Sequence, residues 1–303
     1  MTMKGEGKIT CFFRPKRDLT PFKSHEAMIG GFKWCLSGKD AFTTEYLSIE
    51  DLQISCSYER PKTTLWSCET KGNASAMVNW THFSHFLNSA ESNKSDLMNL
   101  KWGVIKDKCW KLESIWKVKV EVELEITKSR IIDLSSPTNE MISSPEDAAC
   151  VEVCGEKLWL SKKILNVYSP FFSTFFNGDF KEKATNSHVL REIELDEFLH
   201  FLALIYNMDV PIDEKSVSYL LRLGDMYQCE SIVRQCHVFL KSADSGCMDV
   251  EEKISLADRY SFLFLLKTLI QKMPVDKLKE FVKSGEHNKL SDLARSFLFE
   301  RFV

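Results

Sequence analysis

The stretch from residue 151 to residue 206 constrains the fold of this chain more than any other part of the sequence. Two short apolar-rich runs, Val151-Glu152-Val153 and Lys157-Leu158-Trp159-Leu160, lie on either side of Cys154-Gly155. Glycine readily takes the positive φ of a tight turn, so the pattern predicts a β-hairpin. The stretch therefore predicts a small α/β unit that begins with a hairpin and ends with an amphipathic helix, and no set of its residues is arranged for catalysis.

Two serines mark the starts of two short helices after the hairpin. Ser161 precedes an apolar pair, and Ser169 is followed directly by Pro170. A serine hydroxyl satisfies free backbone N–H groups at a helix start, and proline suits the first helical position. Four phenylalanines of the second helix are expected to bury together: Phe171, Phe172, Phe175 and Phe176.

The first 130 residues have the pattern of β-structure. From Val118 to Ile126 apolar residues alternate with charged ones, as in a strand with one buried face. Turn-forming residues separate four shorter runs that also fit strands, at 9–13, 32–36, 52–56 and 64–68. Short strands at this spacing favour an antiparallel β-sandwich, and Trp34 and Trp66 lie in apolar runs that predict core positions.

Composition is typical of a folded chain with more than one domain. Of the 303 residues, 44% are hydrophobic, which is enough for substantial cores. The formal net charge is −3, without the basic stripe of a nucleic-acid binder or the apolar run of a membrane span. Ten cysteines occur singly and the N-terminus lacks an apolar signal region, so we expect a cytoplasmic or nuclear protein. His82 and His85 lack further ligands nearby, so no metal and no cofactor is expected.

Several runs of the first half resemble a MATH domain, a sandwich that binds short peptide segments of partner proteins. They are Gly30-Gly31-Phe32-Lys33-Trp34-Cys35-Leu36, Tyr46-Leu47-Ser48-Ile49, Leu65-Trp66-Ser67-Cys68-Glu69 and Lys101-Trp102-Gly103. The resemblance covers residues 7–130 and implies a substrate groove, in which strand spacing places Trp102, Val104 and Glu50. Trp102 is either an exposed anchor of that groove or a core residue of the sandwich.

The hairpin and the phenylalanine-rich helix resemble a BTB (POZ) domain over residues 147–243, a module that pairs proteins. A MATH domain followed by a BTB domain is the arrangement of the MATH-BTB adaptors, which include the speckle-type POZ protein and a large nematode group. The Leu-Trp-Ser-Cys-Glu run and the Ser-Lys pair at 161–162 are similar to the nematode members. The resemblance implies an α+β multidomain protein with a β-sandwich, a linker at 131–146, an α/β BTB domain and C-terminal helices at 244–303.

The resemblance also implies a function, that of a substrate adaptor of a cullin-3 RING ubiquitin ligase. The MATH domain would capture a protein substrate and the BTB domain would bind cullin-3, while the chain itself catalyses nothing. In related adaptors an apolar residue and a glutamate present the cullin contact, and Phe180 and Glu182 stand at those positions. Tyr206 either borders this surface or belongs to the core. The alternative is an oligomeric scaffold that pairs through its BTB domain and has no ligase function.

Dimerisation is where the chain departs from the family. Many BTB dimers bury an aspartate at the start of the hairpin, but Ala148 occupies that position and Asp147 comes one residue early. In a strand, an offset of one residue points a side chain to the opposite face, so the buried pair of this aspartate with a basic residue is not expected. A homodimer could still form by apolar burial, and the residues expected at its interface are Val151, Leu158, Lys162, Ile164 and Leu165.

The residues after position 228 follow a helical pattern. One apolar stripe consists of Cys229, Ile232, Val233, Cys236 and Leu240. A second helical pattern runs from Glu252 to Lys272, and Pro274 ends it. This part resembles a short BACK domain, with one or two further short helices expected after residue 275. The linker is rich in serine and proline, and we expect it to let the two domains move relative to each other.

Overall fold

Two units of structure make up the chain. The computed structural model describes residues 4–13, 20–42, 47–59, 61–78, 81–92, 98–100, 118–177, 187–242 and 248–301. The first unit contains residues 1–161, 186–191 and 202–211, and the second contains residues 162–185, 192–201 and 212–303.

The first unit contains an antiparallel sandwich of two sheets. Its strands are β1 (Gly5–Phe13), β2 (Thr20–Lys23), β3 (Ala27–Ile29), β4 (Phe32–Phe42), β5 (Leu47–Ser57), β6 (Thr64–Val78), β7 (Thr81–Ser92), β8 (Met98–Leu100) and β9 (Val118–Asp133). One sheet has the order β2-β4-β5-β8, with β3 also paired to β4, and the other has the order β1-β9-β6-β7. The five runs predicted as strands lie in β1, β4, β5, β6 and β9, so the expected sandwich is confirmed.

A single apolar core joins the two sheets. Phe32 and Trp34 contribute to it from one sheet and the valines of β9 from the other, all fully buried. The indole Nε1 of Trp34 donates to the backbone oxygen of Ile29 at 3.2 Å, which satisfies the one polar atom of that ring. Trp66 is also buried. The prediction that both tryptophans are core residues is confirmed.

Strand β9 continues beyond the alternating pattern that predicted it. Its register against β6 shifts where Lys128 pairs with Glu69 and Ile126 pairs with Thr70, which leaves Thr127 as an extra residue. Such a β-bulge changes which face the following side chains occupy, so simple alternation stops while the strand goes on. The linker expected from residue 131 therefore begins inside a strand.

A smaller sheet in the first unit is built on the predicted hairpin. Strands β10 (Ala148–Val153) and β11 (Glu156–Ser161) pair in antiparallel register, and β12 (Ser187–Leu190) lies parallel to β10. The turn residues Cys154 and Gly155 have φ values of 50° and 81°. Two positive φ values are typical of the type I′ turn that matches the twist of a hairpin, so the prediction is confirmed.

Helices make up the second unit. They are α1 (Lys162–Tyr168), α2 (Pro170–Asn177), α3 (Leu195–Ile205), whose last residues belong to the first unit, α4 (Val217–Met226), α5 (Glu230–Lys241), α6 (Val250–Arg259), α7 (Leu263–Lys272), α8 (Val275–Lys283) and α9 (Asp292–Phe299). The predicted apolar stripe of α5 is buried, with Val233 at its half-buried edge. None of the helices in the described ranges is long and apolar enough to span a membrane.

The helical pattern from Glu252 to Lys272 forms two helices. Helix α6 ends in a turn in which the Phe262 N–H donates to the Ala257 oxygen at 2.7 Å and Ser261 has a φ of 56°. This 6→1 bond is the mark of a Schellman motif, which stops a helix and usually uses glycine at the left-handed position. Since serine stands there instead, the sequence carries no clear stop signal, and the break was not predicted.

His237 on α5 gives the second unit a dependence on pH. Its ring stacks on Phe262 with the centroids 4.3 Å apart, and its Nε2 is buried without a hydrogen-bond partner among the described residues. Burial, reinforced by the nearby Lys241 ammonium, lowers the pKa of His237 below its ordinary value of 6.5. The folded state thus binds fewer protons here than the unfolded chain, and its stability falls as the pH drops below about 6.5.

His237→Phe should reduce this acid sensitivity, because phenylalanine keeps the stacking but does not titrate. We expect the thermal midpoint to fall between pH 7.5 and 5.5 by less in the variant than in the unchanged protein. Calorimetric scans at several pH values measure the difference. Equal slopes for the two proteins would show that His237 is not a source of the pH dependence.

Candidate protein-interaction surfaces

Helix α2 is held at its start by Ser169. The Ser169 hydroxyl accepts from the Phe172 N–H at 3.1 Å and donates to the backbone oxygen of Tyr227. Ser169 is fully buried, so both bonds lie out of water, where a lost partner is costly. The predicted serine cap is confirmed, and it also ties α2 to the turn after α4.

An aromatic cluster fixes the rest of α2. The ring of Phe172 lies 5.0 Å from that of Tyr227 and 5.7 Å from that of Phe176. Phe172 and Phe176 are buried, whereas Phe171 and Phe175 remain half-buried at the edge. Burial raises the pKa of Tyr227 to about 12, so this ring stays neutral. The expected burial of four phenylalanines is confirmed for Phe172 and Phe176. Their ring contacts fix the position of α2 against Tyr227.

The residues predicted to contact cullin-3 lie in two places, after α2 and at the end of α3. Phe180 and Glu182 lie outside the described residues, beyond the last residue of α2, Asn177. Tyr206 is 3% exposed, and burial raises its pKa. A side chain buried to this extent does not reach a partner, so the core alternative for Tyr206 is confirmed and the contact is corrected.

The residues predicted for a dimer interface divide into two groups. Val151, Leu158 and Leu165 are fully buried within the single chain, because they face its own apolar interior. They therefore do not offer their side chains to a second copy, and their assignment to the interface is corrected. Lys162 and Ile164 are half-buried and remain candidates.

The exposed face of α1 is a surface that the sequence interpretation missed. Val167 is 81% exposed and Tyr168 is 39% exposed. Both residues lie near the end of α1, and Lys163, one turn before Val167, is also exposed. An i, i+4 reading of the helix around the buried Leu165 could have found this face. It is the most exposed apolar surface of α1.

Asp147 is buried despite its offset. Its carboxylate accepts from the Ser161 hydroxyl at 2.9 and 3.1 Å and from the Ser143 N–H at 3.0 Å, and the side chain is 3% exposed. The expected outward direction is wrong because the residue ends a 3₁₀ turn, Pro145–Asp147, before β10 begins. The alternation rule for strands does not apply there. The Ser161 hydroxyl, expected to cap α1, is a donor to this carboxylate.

The residues predicted for the substrate groove are placed only in part. Trp102 and Val104 lie outside the described residues. Glu50 lies in β5 opposite Lys39 of β4, and its side chain is not described. Both interpretations of Trp102, a groove anchor and a core residue, stay predictions. Among the described residues no three histidine, cysteine, aspartate or glutamate side chains are grouped to hold a metal ion.

Comparisons with known proteins agree with the two kinds of domain. The BTB/POZ domain family model matches residues 143–244. BTB and MATH domain-containing protein 38 of Caenorhabditis elegans is 25% identical over 296 residues, covering 94% of this chain and 74% of that protein. BTB and MATH domain-containing protein 36 of the same organism is 22% identical over 249 residues. The match covers 77% of this chain and 74% of that protein. The BTB domain of human gigaxonin matches with 21% identity over 30% of this chain and 75% of that structure, with a TM-score of 0.27.

Proposed function

We propose that this chain, which is similar to the nematode BTB and MATH domain-containing proteins, is the substrate-recognition adaptor of a cullin-3 RING ubiquitin ligase. In this role the sandwich binds a protein substrate and the BTB domain binds cullin-3. The observation that carries the proposal is that α2, anchored by Ser169 and the aromatic cluster, leads directly into the segment with Phe180 and Glu182.

The chemistry of the cullin contact follows from these two side chains. Phe180 would enter an apolar pocket of cullin-3, where its burial supplies most of the binding free energy. Glu182 would accept hydrogen bonds, which are stronger for a charged acceptor and orient the contact. The anchored helix lowers the entropy lost on binding, because the segment then starts from a fixed point.

A second candidate function is an oligomeric scaffold without a ligase link. The exposed apolar surface of Val167 and Tyr168 on α1 favours it, since a homodimer would remove this surface from water. We propose that the chain forms a homodimer, which is compatible with both the adaptor and the scaffold function. The described cysteines are thiols, all of them buried except Cys154, which supports the proposal of a cytoplasmic or nuclear location, where thiols stay reduced.

Light scattering coupled to size-exclusion chromatography distinguishes the two functions. The purified chain, with a protomer mass of 35.0 kDa, is run alone and with the N-terminal domain of cullin-3. The adaptor function predicts co-elution with one cullin domain per protomer, whatever the oligomeric state of the chain. Oligomers that leave the cullin domain in its own peak would favour the scaffold.

A further inference from the structure

The segment from residue 128 to residue 142 is bound on two sides. Leu134 is fully buried. Its N–H donates to the Thr63 oxygen of the sandwich at 3.1 Å, and its own oxygen accepts from the Trp159 N–H of β11 at 2.7 Å. One residue thus connects the sandwich to the hairpin sheet through its backbone, within the first unit.

Asn139 completes the pairing along β11. Its side-chain Nδ2 donates to the Trp159 oxygen at 2.9 Å and to the Ser136 oxygen at 2.9 Å, and its Oδ1 accepts from the Met141 N–H at 3.1 Å. Strand β11 is the edge of its sheet, and an edge strand leaves N–H and C=O groups open to another chain. The segment uses both backbone groups of Trp159 and so covers this edge.

Arg130 attaches the segment to the end of α3. The Met208 N–H bonds to the Ala203 oxygen and the Asn207 N–H to the Leu204 oxygen, a Schellman motif that ends the helix. The Tyr206 oxygen at this end accepts from Arg130 Nη1 at 2.9 Å, and Arg130 Nε donates to Glu140 at 3.0 Å. A cation at a helix C-terminus is favourable because the helix dipole is negative there.

A second cation strengthens the same junction. The Lys128 ammonium pairs with Asp209, just beyond the end of α3, and with Glu69 of β6 at 3.3 Å. The hydrogen bond from Lys128 lowers the pKa of Asp209. Arg130 therefore binds the Tyr206 carbonyl at the end of α3 and the Glu140 carboxylate. Lys128 binds the carboxylates of Glu69 and Asp209.

We infer that residues 128–142 form a latch, closed by Arg130, that holds the sandwich and the hairpin sheet as one body. The serine- and proline-rich composition predicted a flexible spacer. Instead, Ile132 and Leu134 are buried apolar residues, and the Asn139 side chain bonds to the backbone of Ser136 and Met141 in the turns that follow. If the proposed adaptor function holds, a substrate bound by the sandwich is held in a fixed orientation to the hairpin sheet of the BTB domain.

Hydrogen–deuterium exchange of the full chain tests the latch without cullin-3 or a substrate, so its outcome is independent of the proposed function. In the unchanged protein, peptides covering 134–142 and 156–161 should exchange slowly. Arg130→Ala should accelerate both by about tenfold or more, while a peptide of β4 keeps its rate. Arg234→Ala is the matched control, because Arg234 pairs only with Glu230 on an exposed face among the interactions described.

Two results would overturn the latch. One is exchange of 134–142 in the unchanged protein at the rate of the same peptide in denaturant, and the other is an Arg130→Ala variant within about twofold of the control. If the β4 peptide also accelerates, Arg130→Ala has disturbed the fold, and Asn139→Ala then decides. That variant should accelerate 156–161 by about tenfold through loss of the Trp159 bond, and an unchanged rate would contradict the latch.

Discussion

Replacing Phe180 and Glu182 together by alanine should weaken the binding of this chain to the N-terminal domain of cullin-3 by more than about 30-fold, or about 2 kcal/mol. The change removes the apolar side chain expected to fill the partner pocket and the carboxylate expected to orient it. The affinity is measured by isothermal titration calorimetry of the purified variants.

Lys181→Ala is the matched control for this pair. It lies between the two residues and, in the pattern of related adaptors, any residue is accepted there. We expect its affinity to stay within about threefold of that of the unchanged chain. A double variant that keeps its thermal midpoint and still binds with unchanged affinity would contradict the assignment of Phe180 and Glu182.

Phe172→Ala should lower the free energy of unfolding by about 3–5 kcal/mol. Phe172 is fully buried among Phe171, Phe175, Phe176 and Tyr227, with ring centroids 5.0 to 6.2 Å away, and truncation leaves a cavity between α2 and the turn after α4. Typical domains are stable by only about 5–15 kcal/mol, so the loss is a large share of the total. Differential scanning calorimetry should show a midpoint lower by about 10 °C.

Phe264→Ala provides the control for this substitution. It removes the same atoms from a ring that is 77% exposed, so little surface returns to water. The expected change is within about 0.5 kcal/mol. Equal midpoints for the two variants would mean that the aromatic cluster does not stabilise α2.

Local signals explain which parts of the fold could be predicted. The strand at Val118 to Ile126 was found because one face is buried and alternation follows directly from the pleat. The hairpin and the cap at Ser169 were found because turns and helix starts depend on a few neighbouring residues. These features need no knowledge of distant contacts.

Features that depend on distant contacts were not predicted. The linker looked flexible because Leu134 and Asn139 acquire their partners only when Thr63 and Trp159 are brought beside them. Asp147 looked misplaced because a 3₁₀ turn before β10 sets its direction. For the candidate sites, the assignment of Phe180 and Glu182 stays a prediction, because both lie outside the described residues. The sequence assigned buried core residues to the dimer interface, since hydrophobic periodicity and composition do not say which chain covers an apolar face.

The most direct test of the adaptor function is a calorimetric titration of the unchanged full chain with the N-terminal domain of cullin-3. The adaptor function predicts saturable binding with a sub-micromolar Kd and one cullin domain per protomer. A folded, monodisperse sample that gives no binding heat at several temperatures, and no complex by light scattering, would contradict it.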